Sequence, residues 1–209
     1  MAQIVPSITV SDPVDFGHKL KNFKFAKRLH FDTGQPPFLP NRLINLAQIS
    51  LPEGKECDLH LMLDHPEKQT EMVISLGPSL VIIHYEAKGD VKAFFAEMRK
   101  VGIKTGLALL PETAVEEARE IIAGVDHVLI FTGHLGYYGG ELKKDCLPKI
   151  QQVKATSPEI EVCVDGGINP TNIAEVADAG ADVVISGGFI SNSENPKAAF
   201  HQLMEAMGD

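Results

Sequence analysis

Eight short β-rich runs alternate with helix-like stretches from one end of this chain to the other. The runs fall at 3–8, 28–32, 56–62, 80–85, 104–109, 127–131, 161–164 and 183–186. The clearest helical stretches lie at 66–76, 91–101, 113–123, 147–156, 171–179 and 196–206. Alternation of this kind makes an α/β fold with a parallel sheet, because each helix carries the chain back to begin the next strand. Eight repeats favour a closed (β/α)8 barrel over an open doubly wound sheet. Pro170 and Pro196 each follow an Asn, Pro66 comes two residues after Asp64, and all three mark helix starts. Gly77, Gly102, Gly124 and Gly180 stand where helices should end. The stretch 41–49 is too thin for a full second helix. Without a linker or low-complexity tract, the expectation is one domain, 1–209.

Three of the runs end in residues that bind divalent metals or move protons. In Leu29-His30-Phe31-Asp32, a period of two sets His30 and Asp32 on one face and Leu29 and Phe31 on the other. The same period groups Asp58, His60 and Met62 against Leu59 and Leu61, and Cys163 and Asp165 against Val162 and Val164. In a (β/α)8 barrel the strand ends converge on one mouth, where the active site lies. His30, Asp32, His60, Met62, His84, Glu86 and Asp165 all fall at that end. Two imidazoles and two carboxylates form a mixed nitrogen and oxygen set suited to zinc, iron, manganese or cobalt. A lone strand histidine is more often a hydrogen-bonded core or rim residue than a ligand, and His18, His65, His127 and His201 are read as surface or packing residues. His84 and Glu86 are open to either a structural role or one of orienting the ligands.

Gly166-Gly167 follows the seventh run and Gly187-Gly188 the eighth. Either pair alone reads as a strand-to-helix turn. Together, after strands seven and eight, they occupy the recurrent phosphate site of such barrels, where glycine lets backbone amides approach an anion. The segment 133–140 has four glycines in eight residues and reads either as a plain connection or as a lid over substrate.

A net charge of −9, from 19 basic and 28 acidic residues, argues against a broad nucleic-acid surface but not against a local anion site. Three scattered cysteines without a C-x-x-C suggest free thiols in a reducing compartment. No signal-like N-terminus or membrane-length apolar run is visible, so no membrane partner is expected and a cytoplasmic location is the default.

Pro6-Ser7-Ile8, His30-Phe31-Asp32, Phe38-Leu39-Pro40-Asn41, Asp58-Leu59-His60-Leu61-Met62, His84-Tyr85-Glu86-Ala87 and Val164-Asp165-Gly166-Gly167-Ile168-Asn169-Pro170 occur in this order. In these blocks the chain resembles the ribulose-phosphate 3-epimerase family, phosphate-binding (β/α)8 TIM barrels that invert carbon 3 of a ketopentose phosphate. The resemblance implies one divalent metal ion held by His30, Asp32, His60 and Asp165, with Asp32 and Asp165 as the acid/base pair. It also implies a substrate pocket that includes Ser7, His60 and Met62, a phosphate cradle at Gly139, Gly140, Gly166, Gly167, Gly187 and Gly188, and a homo-oligomer. There are departures. The family continues His-x-Asp with x-Met-Asp-Gly, whereas Thr33-Gly34-Gln35-Pro36 stands here; a strand-six pocket methionine is Phe131, and the lid gains a residue. A smaller residue at Gly34 and a larger one at Phe131 are expected to reshape the cavity.

The chemistry expected is removal of a proton α to a carbonyl by one aspartate and its return to the opposite face by the other. A phosphorylated ketose is the expected substrate, D-ribulose 5-phosphate first and a hexulose 6-phosphate second. Two other readings stand beside this one. Related barrels decarboxylate using Asp-x-Lys-x-x-Asp on the second strand, but no lysine follows Asp32 here. A non-catalytic barrel binding metal or sugar phosphate would catalyse no solvent hydrogen exchange.

Overall fold

The computed structural model describes residues 2–137 and 140–208. Eight parallel strands close into a barrel in sequence order. They are β1 (Gln3–Ile8), β2 (Arg28–Gly34), β3 (Glu56–Met62), β4 (Leu80–His84), β5 (Lys104–Leu109), β6 (His127–Phe131), β7 (Glu161–Asp165) and β8 (Val183–Ser186). The helices are α1 (Pro13–Asn22), α2 (Thr70–Leu76), α3 (Val91–Lys100), α4 (Val115–Ile122), α5 (Pro148–Thr156), α6 (Ile173–Asp178), α7 (Gly188–Ser191) and α8 (Pro196–Met207). Among the described residues, no helix is long and apolar enough to cross a membrane.

The expected strands are present, with β2 two residues longer than its apolar run. Pro66–Gln69 forms a 3₁₀ turn before α2, so the expected helix 66–76 is a composite. Between β2 and β3 there is only the 3₁₀ turn Leu46–Gln48, in keeping with the thin sequence there. α1 was not foreseen. Its signal lies in Asp12-Pro13, where the Asp12 side chain accepts from Val14 N–H and Asp15 N–H. The apolar period behind that cap is weak: Phe16 is its buried residue and Val14 is exposed.

The period of two separates two apolar layers. Leu29, Phe31, Leu59, Leu61, Val162 and Val164 point outward into the core between strands and helices. Full burial of each such side chain is worth about 1.5–3 kcal/mol. Val5, Ile82, Ala108, Leu129, Cys163 and Ile185 form a second cluster inside the barrel. The three cysteines are all buried free thiols. Inward polar groups lie above and below that inner cluster. β2 carries Arg28 at the N-terminal floor and His30 and Asp32 toward the C-terminal mouth. β3 carries Asp58 and His60 in the same sense, and register pairs His30 with Asp58 and Asp32 with His60. β7 runs from Glu161 to Asp165, and Asp165 pairs with Phe131 on β6.

Candidate active site and metal centre

At the mouth, ligand atoms of His30, Asp32, His60 and Asp165 all lie within 4.8 Å of one another. They come from β2, β3 and β7, and β1 and β8 lie between β2 and β7 round the barrel. Asp32 divides its two oxygens. Oδ1 lies 3.2 Å from His30 Nε2 and 2.9 Å from His60 Nδ1, while Oδ2 accepts a hydrogen bond from Thr9 Oγ1. Thr9 in turn is 3.3 Å from Ser7 Oγ. Both imidazoles are fully buried.

Burial alone would raise the Asp32 carboxyl, but His30 and His60 beside it hold it well below the usual carboxylate range. Asp165 goes the other way, raised to about 7 by burial and then by the Asp32 charge. Burial, together with His84 and His30 nearby, lowers His60 to about 4 against the opposing pull of Asp32. On His30 burial opposes charge, and Asp32, helped by Asp165 and Asp58, outweighs it and raises the ring above its ordinary value. The mouth therefore holds two buried carboxyls pushed in opposite directions, Asp32 toward the ionised form and Asp165 toward the protonated one.

The donor set fits a divalent cation. The buried His30 ring is poorly satisfied: its Nε2 meets Asp32 Oδ1 at 3.2 Å without a well-aligned hydrogen bond, and its Nδ1 has no hydrogen-bond partner among the described residues. A buried imidazole left so is costly unless something else engages it. Two imidazole nitrogens and two carboxylates around one point are what zinc, iron, manganese or cobalt accept.

A cavity of about 230 Å³ opens above this cluster. Asp32 and Asp165 reach it, with Ser7, Met62, Gly140, Gly166, Gly167, Gly187 and Gly188 in its wall. His30 and His60 lie behind the wall, so His60, expected to touch substrate, faces the carboxylates instead. Gly139 and Tyr138 of the expected lid lie outside the described residues. Thr9, Asn169 and Asn192 also line the cavity and were missed from sequence. Thr9 was findable, since it continues the inward period of Ser7 on β1.

Gly166 and Gly167 have positive φ, 119° and 73°. A Cβ on Gly166 would come within 2.1 Å of Gly133 N, and one on Gly167 within 2.4 Å of Leu142 N. These glycines let the loops after β6 and β7 pack against each other at the cavity edge. Asn41 Nδ2 donates to Gly136 O at 2.7 Å and ties segment 133–137 to the loop after β2. Gly34 does not open the cavity as expected. A Cβ there would meet Leu39 Cδ1 at 2.6 Å and Met62 Cβ at 2.8 Å, so those two residues fill the space. Phe131 does line the cavity.

His84 does more than pack. Its Nε2 is 2.9 Å from His60 Nε2, and its Nδ1 is 3.3 Å from Glu86 Oε2. The Glu86 carboxyl lies below its ordinary value: burial opposes this, and hydrogen bonds from His84 and Thr113 outweigh it. His127 is buried at the floor beside Glu161, in keeping with its reading as a packing residue.

Residues 3–191 match the Ribulose-phosphate 3 epimerase family. The ribulose-phosphate 3-epimerase of Schizosaccharomyces pombe is 28% identical over 214 residues, covering 99% of this chain and 94% of that protein. That of Bacillus subtilis is 26% identical over 213 residues, covering 97% and 98%. Among solved structures, 3-hexulose-6-phosphate synthase from Salmonella typhimurium superposes with a TM-score of 0.75 at 14% identity, covering 98% of each chain. That last likeness concerns the fold alone.

Proposed function

The chain belongs to the ribulose-phosphate 3-epimerase family, and from that premise we propose that it inverts carbon 3 of D-ribulose 5-phosphate, giving D-xylulose 5-phosphate, with one divalent cation bound. It is an isomerase-class enzyme, an epimerase of a pentose phosphate. The finer reading takes residues 1–209 as one barrel domain. The observation that carries it is the pair Asp32 and Asp165, reaching one cavity from strands on different sides of the barrel, with their carboxyls shifted in opposite directions.

Ionised Asp32 takes the carbon-3 proton from one face, and the electron pair of that bond moves toward the carbonyl to make an enediolate. Protonated Asp165 gives its proton to carbon 3 from the other face, and the pair ends with its protonation states exchanged. The reverse reaction uses the same groups in the opposite roles. A divalent cation, when held by His30, Asp32, His60 and Asp165, supplies positive charge that stabilises the enediolate. Ser7 and Met62 border the reacting end of the substrate. Gly166, Gly167, Gly187 and Gly188, with Gly139 and Gly140, receive the phosphate through backbone amides.

The shorter substrate is taken first because Leu39 and Met62 fill the space at Gly34 and Phe131 lines the β6 wall, so neither departure enlarges the cavity. The test is a panel of D-ribulose 5-phosphate and hexulose 6-phosphates, assayed after chelation and after return of Zn, Fe, Mn or Co. The proposal expects activity on the pentulose phosphate that disappears on chelation and returns with metal. Preference for a hexulose phosphate, or activity indifferent to chelation, would refute it.

A further inference from the structure

We infer that His84 and Glu86 are positioning residues for the cation, acting through His60 by setting which of its ring nitrogens carries the proton. The inference rests on the metal reading of the mouth and goes beyond it, since neither residue belongs to the four-ligand cluster.

The argument starts from donors and acceptors. Glu86 Oε1 accepts from Leu110 N–H at 3.1 Å and from the Thr113 hydroxyl, leaving Oε2 toward His84 Nδ1 at 3.3 Å. A carboxylate only accepts, so the shared proton sits on His84 Nδ1. In a neutral imidazole the other nitrogen is then an acceptor, and His84 Nε2 faces His60 Nε2 at 2.9 Å. It accepts from His60 Nε2–H. His60 Nδ1 lies 2.9 Å from Asp32 Oδ1, which would also accept a proton there, so the relay works against that pull and frees the Nδ1 lone pair for a cation. One nitrogen cannot both hold a proton toward Asp32 and offer a lone pair to a cation. The relay supplies the tautomer that a ligand needs.

The relay is held at both ends. The His60 and His84 rings stack at 4.9 Å with planes 27° apart, and Phe38 and Phe131 pack on His84 at 5.0 and 6.0 Å. At the far end Lys149 Nζ donates to the carbonyls of Leu110, Pro111 and Thr113 at 2.9, 2.8 and 2.7 Å. This fixes the loop that grips Glu86. His30 has no comparable chain behind it: Asp32 Oδ1 faces its Nε2 at 3.2 Å, and its Nδ1 has no hydrogen-bond partner among the described residues. Orientation of the histidine ligands therefore depends chiefly on the chain His60–His84–Glu86.

The test is titration of Co²⁺ and Zn²⁺ into the full-length chelated protein, with thermal unfolding of each variant recorded alongside. His84→Phe keeps a ring but loses the acceptor and should weaken metal binding about 10–100-fold. Glu86→Gln, nearly isosteric, should weaken it less. His84→Gln, whose carbonyl can accept from His60, should recover part of the loss. In the Zn²⁺-loaded protein, nitrogen NMR should find the His60 proton on Nε2 in the unaltered chain. Unchanged affinity in both His84→Phe and Glu86→Gln, or a His60 proton on Nδ1 with metal bound, would overturn the relay alone. If the unaltered chain takes up neither ion, or takes them up equally after His30→Ala, the metal reading falls and the relay with it.

Discussion

The two ends of the barrel carry buried charge on the same strands and treat it in opposite ways. At the floor, Arg28 Nε donates to both Asp58 oxygens at 3.0 and 2.8 Å. Its Nη1 and Nη2 reach Glu161 Oε1 and Oε2 at 2.9 and 2.8 Å, and Glu161 also accepts from His127 Nδ1 at 2.7 Å. Arg28 and Asp58 are almost fully buried, yet each is paired. At the mouth, two to four residues along the same strands, two carboxylates and two imidazoles crowd together with no Lys or Arg among them. The floor is a closed arrangement that supports the barrel. The mouth keeps its groups in tension, so that burial and the Asp32 charge raise the Asp165 carboxyl and the His30 ring lacks a well-aligned hydrogen bond among the described residues. The same strand geometry thus yields stability at one end and reactivity at the other, according to whether a counter-charge is present.

The sharpest way to break this contrast is to neutralise one acid at the mouth. Asp32→Asn and Asp165→Asn should each lower epimerisation by about 10²–10⁴-fold, the range for loss of a general acid or base. Thermal unfolding of the metal-free Asp165→Asn chain should not fall, because a neutral amide replaces a carboxyl whose ionisation is disfavoured by burial and by Asp32. A normal rate, or a large drop in stability, would contradict the division of labour. At the floor the opposite pattern is expected. Arg28→Met strands Asp58 and Glu161 and should cost about 3–5 kcal/mol in urea unfolding, with kcat of the folded protein unchanged.

Smaller changes refine the comparison. Thr9→Val removes the hydroxyl donor to Asp32 Oδ2 and should lower kcat about 10-fold, the lower end for a hydrogen bond to a charged group. KM should stay nearly constant and Thr9→Ser should retain most activity. Equal losses in both variants would make Thr9 a packing residue. The smallest effect concerns acid stability. Burial would raise the Glu161 carboxyl, but His127 and Arg28 hold it well below the usual range. A depressed carboxyl contributes stability that is complete above its unfolded value, near pH 4.3, and is lost as pH falls toward the folded value. Glu161→Gln should therefore flatten the loss of stability below about pH 5, modestly because the side chain is 38% exposed. Parallel curves for variant and parent would remove Glu161 from the account.

Much of the mouth was legible in the sequence because a strand's period of two is rigid. Once His30, Asp32, His60 and Asp165 sit on strand runs, the barrel brings their inward faces together. Contacts that depend on stagger between neighbouring strands were not legible. His60 pairs in register with Ile82, not His84, and the two rings meet only because side chains lean across that step. The fate of Gly34 was hidden for a related reason: the side chains that fill its space, Leu39 and Met62, come from a loop and a neighbouring strand. α1 escaped because a surface helix with a single fully buried residue has little apolar period to detect.

The central claim is that Asp32 and Asp165 exchange a proton at carbon 3 of a pentulose phosphate with a cation bound between them. Its most direct test is mass spectrometry of D-ribulose 5-phosphate equilibrated in heavy water with the metal-loaded enzyme. The account predicts deuterium at carbon 3 as xylulose 5-phosphate forms, lost on chelation and lost in Asp165→Asn. Epimerisation without deuterium at carbon 3, or exchange at full rate in Asp165→Asn, would contradict it.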